Sequence, residues 1–173
     1  MLSLRRKKED RAAAQMICAA LLAQARKPAF FVELRVPDTF DGRFDLAVLH
    51  AWLMLERLRS AGYGMVAQAL VDDIFVNFDE ALRDLGASDM SMGRKLKKIA
   101  NAFYGRLSAY GSAADIDALA AAIGRNVYRG EAARAGDAAR LATYALVCRS
   151  QLAQWTPEDG SPVFGPLPQI VNA

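Results

Sequence analysis

Apolar residues along this chain recur three and four positions apart and never settle into strict alternation, which is the pattern of amphipathic helices and not of strands. The clearest stripe is Val71, Ile74, Phe75, Phe78, Leu82 and Leu85, with Asp73, Glu80 and Asp84 on the opposite face. It predicts a helix over about 65–85, stopped by Gly86. A second stripe, Leu96, Ile99, Ala100, Phe103, Leu107 and Tyr110, predicts the next helix, capped by Ser88 or Ser91 and turning Arg94, Lys97 and Lys98 outward. An acidic helix is therefore followed directly by a basic one. Asp115 suits the cap of a shorter helix with Ile116, Leu119, Ala120, Ile123 and Val127 on one face. Gly136-Asp137 starts a last helix carrying Leu141, Tyr144, Ala145, Cys148, Leu152 and Trp155.

The segment over about 43–60 differs, being apolar nearly all round. Leu46, Leu49 and Leu53 fall on one side, and Phe44, Val48, Trp52 and Leu55 on the other, so it is expected to be the central, most buried helix. Pro37-Asp38-Thr39 and Asp41-Gly42 read as the turn before it. Upstream, a first helix is expected over about 5–26, and Pro28 opens a short helical segment reaching Leu34. The basic start, the apolar run from Ala12 to Ala23 and the triplet Ala23-Gln24-Ala25 imitate a cleaved secretory signal. Glu9 and Asp10 interrupt that imitation and Arg26-Lys27 follow it at once, so an ordinary N-terminal helix is expected. Pro157, Gly160, Pro162, Gly165, Pro166 and Pro168 predict a tail with neither helix nor strand, lying along the surface or wandering. The expected organisation is a single compact all-α multi-helix domain over 1–156, built around a buried central helix, and an extended Pro/Gly-rich tail over 157–173.

Composition supports this and narrows the chemistry. With 53% apolar residues in a chain of 173, one domain can hold a proper core without a metal or disulfide. Cys18 and Cys148, far apart in apolar stretches, are expected as buried free thiols. No stretch reaches the roughly 18 to 20 uncharged apolar residues of a bilayer span. The net charge of +3 is patchy, concentrated in Arg5, Arg6, Lys7 and Lys8 and in Arg94, Lys95, Lys97 and Lys98. There is one histidine, His50, with no ligand partner at metal or haem spacing, and there is no phosphate loop, dinucleotide fingerprint or nucleophile elbow. No catalytic residue, cofactor, metal or small-molecule substrate is expected.

Two constellations carry a binding reading. Arg43, His50 and Arg57 recur every seven residues and line up along one side of the central helix. Either they pair with carboxylates such as Asp72 or Asp79 on the next helix, or they form the polar floor of a groove that meets a client. Arg94, Lys95, Lys97 and Lys98 precede Phe103 and Tyr104, an arrangement that can hold phosphates and stack bases. Phe103 falls on the core stripe, however, which favours a solvated basic face open to a protein, ribosomal or anionic lipid surface.

The run Asp41-Gly42-Arg43-Phe44-Asp45-Leu46-Ala47-Val48-Leu49-His50 resembles the signature of the ubiquinol–cytochrome c chaperone family. The match continues in order through Gln68-Ala69-Leu70-Val71-Asp72, Phe75, Asp79-Glu80-Ala81-Leu82-Arg83-Asp84-Leu85-Gly86, Lys95-Leu96-Lys97-Lys98 and Phe103-Tyr104-Gly105-Arg106 to Tyr110. It covers roughly 28–127, with Gly86-Ala87-Ser88-Asp89 and Met92-Gly93-Arg94 departing mildly from the family pattern. The resemblance implies a non-enzymatic assembly factor. Its client would be newly made cytochrome b and its destination the ubiquinol–cytochrome c oxidoreductase complex; mitochondrial members of the family also work with the ribosome and a small helper protein, a role the resemblance does not by itself extend to this chain. A compact chain with no evident transit peptide is expected to be the bacterial form, cytoplasmic or peripheral at the cytoplasmic face of the inner membrane. The expected partner-binding residues are Arg43, His50, Arg57, Arg94, Lys97, Lys98, Tyr104 and Arg106. The alternative is a ribosome- or RNA-associated factor using the basic helix around 94–98.

Overall fold

The computed structural model describes residues 2–167, and every regular element among them is helical. In chain order these are α1 (Leu2–Ala25), α2 (Pro28–Val32), α3 (Phe40–Ser60), α4 (Gly64–Asp84), α5 (Asp89–Gly111), α6 (Ile116–Val127) and α7 (Ala135–Leu152), with single 3-10 turns at Ala132–Arg134 and Pro157–Asp159. The all-α fold expected from the stripes is the observed one.

The central helix starts earlier than its apolar run. Thr39 takes extended backbone and its hydroxyl accepts the Gly42 N–H at 3.2 Å, so it is the N-cap and Asp41-Gly42 lie in the first turn of α3. Only glycine fits there: a Cβ on Gly42 would stand 1.9 Å from the Pro37 carbonyl oxygen. At the other end of α4, Gly86 stops the helix with φ +79, and the Ala87 N–H returns to the Leu82 carbonyl at 3.0 Å. Asp115 caps α6 through the Ala118 N–H at 2.8 Å.

α3 is buried on both of its sides and packs against α1, α4, α5, α6 and α7. α1 and α4 form one pair over it, through Ala14, Ile17, Leu21 and Ala25 of α1 and Val66, Leu70, Ile74 and Phe78 of α4. α6 and α7 form another, through Leu119, Ile123, Leu141 and Ala145. Cys18 and Cys148 are both buried free thiols. Leu85 and Ile116, assigned to stripes from sequence, sit at helix ends and are exposed instead, at 64% and 41%.

The tail departs from its expected irregularity. Pro157 opens a 3-10 turn whose ends are tied reciprocally, the Thr156 N–H donating to Asp159 Oδ2 at 2.7 Å. Beyond it Phe164 drops onto the core, edge-to-face with the His50 ring at a centroid distance of 5.2 Å, and the Gly165 N–H donates to Cys148 Sγ at 3.1 Å. Pro168 and the residues after it lie outside the described residues.

Trp52 is 6% exposed and meets Tyr110 at a centroid distance of 5.8 Å, whereas Lys97 is exposed. Trp52→Ala should therefore lower stability by about 3 to 5 kcal/mol and Lys97→Ala by less than about 0.5 kcal/mol, measured by equilibrium urea melts. Equal effects would contradict this assignment of core and surface.

Candidate partner-binding surface

The three basic residues spaced along α3 do not share a groove. Arg43 Nε donates to Asp38 Oδ1 at 2.7 Å, and its guanidinium lies 5.7 Å from the Phe31 ring centre. Arg57 Nε donates to the Trp155 carbonyl at 2.7 Å, closing the end of α7 onto α3. His50 is wholly buried. Its Nδ1 stands 2.7 Å from the Leu46 carbonyl oxygen, which can only accept, so Nδ1 carries the proton. Its Nε2 then accepts from the Tyr144 hydroxyl at 2.8 Å, and that hydroxyl accepts from the Gln24 amide at 2.8 Å. Burial pushes the His50 pKa down to about 4, so the ring is neutral at pH 7. His50 is thus corrected from a partner-binding residue to a core residue that links α1, α3 and α7.

The pairing of this line with Asp72 or Asp79 is also overturned. α4 turns Val66, Leu70, Ile74 and Phe78 toward the core, which leaves both aspartates on its outer side. There Asp72 accepts from Gln68 at 3.0 Å and Asp79 from Arg83 at 2.9 Å.

On α5 the expected residues separate by position. Arg94, Lys95, Lys97 and Lys98 are exposed, and none of them makes an ion pair or hydrogen bond among the described residues. Tyr104 is 51% exposed and stacks on Phe75 of α4, with ring planes 26° apart and centroids 6.3 Å apart. Arg106 turns inward. Its Nε donates to Asp45 Oδ1 at 2.6 Å, its Nη1 donates to the Ala102 carbonyl at 3.1 Å, and its guanidinium lies 5.0 Å from the Phe44 ring centre. At 14% side-chain exposure it holds the fold and leaves little to a partner, which corrects its place in the expected set.

Two buried carboxylates that the apolar stripes do not single out organise the fold. Asp45, at 0% exposure, faces Arg106 and also Arg129, whose Nη1 stands 2.9 Å from Oδ2 in an ion pair poorly aligned as a hydrogen bond. Burial outweighs both arginines and raises the Asp45 pKa to about 6. Asp137, at 2% exposure, receives Arg35 at 2.8 Å, with Arg134 at 3.6 Å and Arg140 at 4.0 Å. Arg35 and Arg129 have φ of +52 and +54, a backbone that non-glycine residues seldom adopt. The neighbours of these two are joined as well, the Tyr128 hydroxyl donating to the Leu34 carbonyl at 2.7 Å. The available signal was an aspartate inside the otherwise apolar Phe44-Asp45-Leu46-Ala47-Val48 run.

Between α4 and α5 lies a shallow, widely open depression of about 590 Å³. Phe75, Val76, Leu96 and Ala100 line it, with Asp72 and Asp79 on the α4 wall and Lys97 on the α5 wall. The cleft adjoins the free basic face. No group of metal-ligating side chains occurs among the described residues, and no described helix is long and apolar enough to cross a membrane. What this arrangement offers is contact: apolar floor, charged rims and unsatisfied cations.

The model of the family described as ubiquinol-cytochrome C chaperone matches residues 32–159, from α2 through the turn after α7. The chain belongs to that family. It is 26% identical over 103 residues to the mouse (Mus musculus) ubiquinol-cytochrome c reductase complex assembly factor 1, covering 57% of this chain and 35% of the relative. It is 34% identical over 110 residues to the mitochondrial protein CBP3 of Saccharomyces cerevisiae, covering 58% and 32%. The chain thus spans about a third of the length of these two relatives. The crystal structure of the Cbp3 homolog from Brucella abortus superposes with a TM-score of 0.83 at 33% identity, over 96% of each chain.

Arg106→Leu would leave the Asp45 carboxylate buried beside Arg129 alone. Because the folded-state pKa of Asp45 lies above the unfolded value near 3.8, the native state binds this proton more tightly than the unfolded chain does. The group therefore adds stability as pH falls from about 6 toward 4, and loses it as pH rises. Losing Arg106 raises the folded pKa further, so the variant should be less stable by about 3 to 5 kcal/mol at pH 8, with the deficit shrinking toward pH 5. Urea melts across pH test this, and a deficit independent of pH would remove Asp45 from the explanation.

Proposed function

We propose that this protein is a non-enzymatic assembly chaperone that binds newly made cytochrome b and supports assembly of the ubiquinol–cytochrome c oxidoreductase complex. The observation that carries the reading is the surface shared by α4 and α5. Arg94, Lys95, Lys97 and Lys98 of α5 make no ion pair among the described residues, and one of them, Lys97, borders an open apolar depression shared with α4. A face of this kind holds binding free energy in reserve for a partner. Membership of the chaperone family and the similarity to the mouse ubiquinol-cytochrome c reductase complex assembly factor 1 support the same reading. Chemistry within the core points the same way. His50, Tyr144 and Cys148 are buried and hydrogen-bonded to the protein itself, so they act as structure.

The binding set is accordingly Arg94, Lys97, Lys98 and Tyr104, with Arg43 lying apart on the α2–α3 side. Action at the cytoplasmic face of the inner membrane fits a client that is itself a membrane protein. A purely phosphate-directed surface fits less well, because Asp72 and Asp79 border the cleft.

Arg94→Glu combined with Lys98→Glu changes only exposed side chains, so the melting temperature should stay within about 2 °C of wild type. In a host whose own gene is replaced by the variant, cytochrome b measured by haem absorbance in membranes should fall roughly twofold or more, since the reversed charges repel an acidic partner surface. Normal cytochrome b at normal stability would remove the basic face of α5 from the mechanism.

A further inference from the structure

We propose that the pocket where α1, α3 and α4 meet is an anchor site for a partner protein, taking one large apolar side chain that stands next to a carboxylate in the partner's chain. Resting on the reading that this chain binds a protein client, the site adds a second point of contact away from the face of α5. The pocket holds about 190 Å³, and its lining comes from α1, Arg26 just beyond it, α3 and α4. Its depth has a cause in the sequence. Ala25 of α1, Ala47 of α3 and Ala81 of α4 all line it, so each helix brings a methyl group where a longer side chain would close the crease between them. Leu22, Phe44 and Phe78 form apolar walls. The Phe44 and Phe78 rings rest on each other at a centroid distance of 5.1 Å, and the Arg106 guanidinium holds Phe44 from 5.0 Å. The walls are therefore in place before anything binds.

Charge at the mouth has one sign. Arg26 and Arg43 line the pocket, both are exposed, and no carboxylate lines it with them. Arg26 makes no ion pair or hydrogen bond among the described residues. Arg43 gives its Nε to Asp38 and is steadied by the Phe31 ring, while its two Nη groups engage no acceptor among the described residues. Asp38 offsets one positive charge of the two, so the mouth keeps an excess. Arg43, which lies apart from the α5 face, has here a partner of its own to meet.

Volume and charge together select the occupant. Pockets that enclose a whole small molecule run from roughly 300 Å³ upward, and this one is smaller, so it takes a side chain and not a complete ligand. An RNA backbone would use the two arginines and leave the apolar walls unfilled. A side chain that enters the pocket brings its neighbour in the chain to the mouth, where a carboxylate meets two guanidinium groups and makes charge-assisted hydrogen bonds. Apolar burial then supplies affinity and the charge fixes orientation.

The test is a chemical-shift titration of the isotope-labelled full chain with the blocked peptide Gly-Ser-Phe-Asp-Glu-Ser-Gly. Saturable amide shifts should centre on Ala25, Arg26, Phe44, Ala47 and Ala81, with a Kd of about 0.1 to 1 mM, as suits a single anchored side chain. Replacing the peptide's Phe by Ala should weaken binding by about tenfold or more, and replacing its Asp-Glu by Asn-Gln by about threefold or more. In the protein, Ala81 is half-buried on α4, and Ala81→Leu keeps a strong helix former while filling the pocket. It should weaken the parent peptide by about tenfold with a melting temperature unchanged or raised. Arg26→Glu should weaken the acidic peptide by about threefold or more and leave the Asn-Gln version within about twofold of wild type, with a thermal melt confirming the fold. No saturable shifts, an Ala81→Leu affinity within about twofold of wild type, or equal loss of both peptides in Arg26→Glu would overturn the anchor site. Octanoate tests for a free amphiphile, and shifts at the pocket from octanoate with none from the peptide would overturn the site as a protein contact. None of these readouts uses cytochrome b or an α5 residue. Failure of the peptide while Arg94→Glu with Lys98→Glu still lowers cytochrome b would remove the pocket and leave the assembly role standing. Peptide binding with normal cytochrome b in that variant would keep the pocket and remove the α5 face.

Discussion

A carboxylate with no exposure, set in the middle of an apolar helix, costs several kcal/mol unless opposite charge returns to it. Asp45 receives that charge from two separate parts of the chain. Arg106 reaches it from α5 and Arg129 from the turn after α6, so one side chain on the central helix fixes the position of the two elements that follow α4. Asp137 repeats the device at the start of α7, drawing in Arg35 from the connection between α2 and α3. In both cases an arginine adopts a left-handed backbone to make the reach, a conformation that persists only when its surroundings determine it. The apolar core supplies the bulk of the attraction. The buried carboxylates decide which helix goes where.

The same core holds two groups whose protonation opposes one another. Asp45 has its pKa raised to about 6 and His50 has its pKa lowered to about 4, in each case chiefly because burial penalises the charged form. A raised carboxylate makes the native state the better proton binder, and stability from it falls as pH rises from about 4 to 6. A lowered histidine makes the unfolded chain the better binder, and stability from it rises across about 4 to 6.5. The two slopes offset each other over mildly acidic pH. The polar interior therefore confers register on the helices with little net sensitivity to pH from this pair.

Helical periodicity made the fold legible because each stripe belongs to one continuous element, and a stripe states which face is inside without reference to any partner. Val71, Ile74 and Phe78 show this on α4, and Leu119, Ile123 and Val127 on α6. The stripe argument weakens at helix ends, where Leu85 and Ile116 remain in water despite their place on the wheel. It fails for polar residues inside the central helix, because α3 is buried on every side and the wheel cannot say which neighbour meets Asp45, His50 or Arg57. Their partners, Arg129, Tyr144 and the Trp155 carbonyl, are distant in sequence. For the same reason Arg106 looked like a surface cation: nothing local distinguishes it from Lys97, and only the approach of α5 to α3 turns it inward. The irregular composition of the tail hid Phe164, a single aromatic that finds a place on His50.

Division of labour between the interior and the surface follows from where charge has been neutralised. Arg106 gives its donors to the buried Asp45 and the Ala102 carbonyl and has little left for another molecule, whereas Arg94, Lys95, Lys97 and Lys98 have none engaged among the described residues. Exposed cations contribute little to folding and can be redirected toward a partner at small cost to stability. They act over a Debye length of about 8 Å at physiological salt, which speeds encounter more than it tightens the final complex. Retention then depends on apolar contact, and the cleft beside them provides it through Phe75, Val76, Leu96 and Ala100. A surface that attracts with charge and holds with a small apolar floor would capture a partner quickly and let it go, which is the kinetic behaviour that the proposed assembly role requires of a site that must be emptied before the assembled complex is complete.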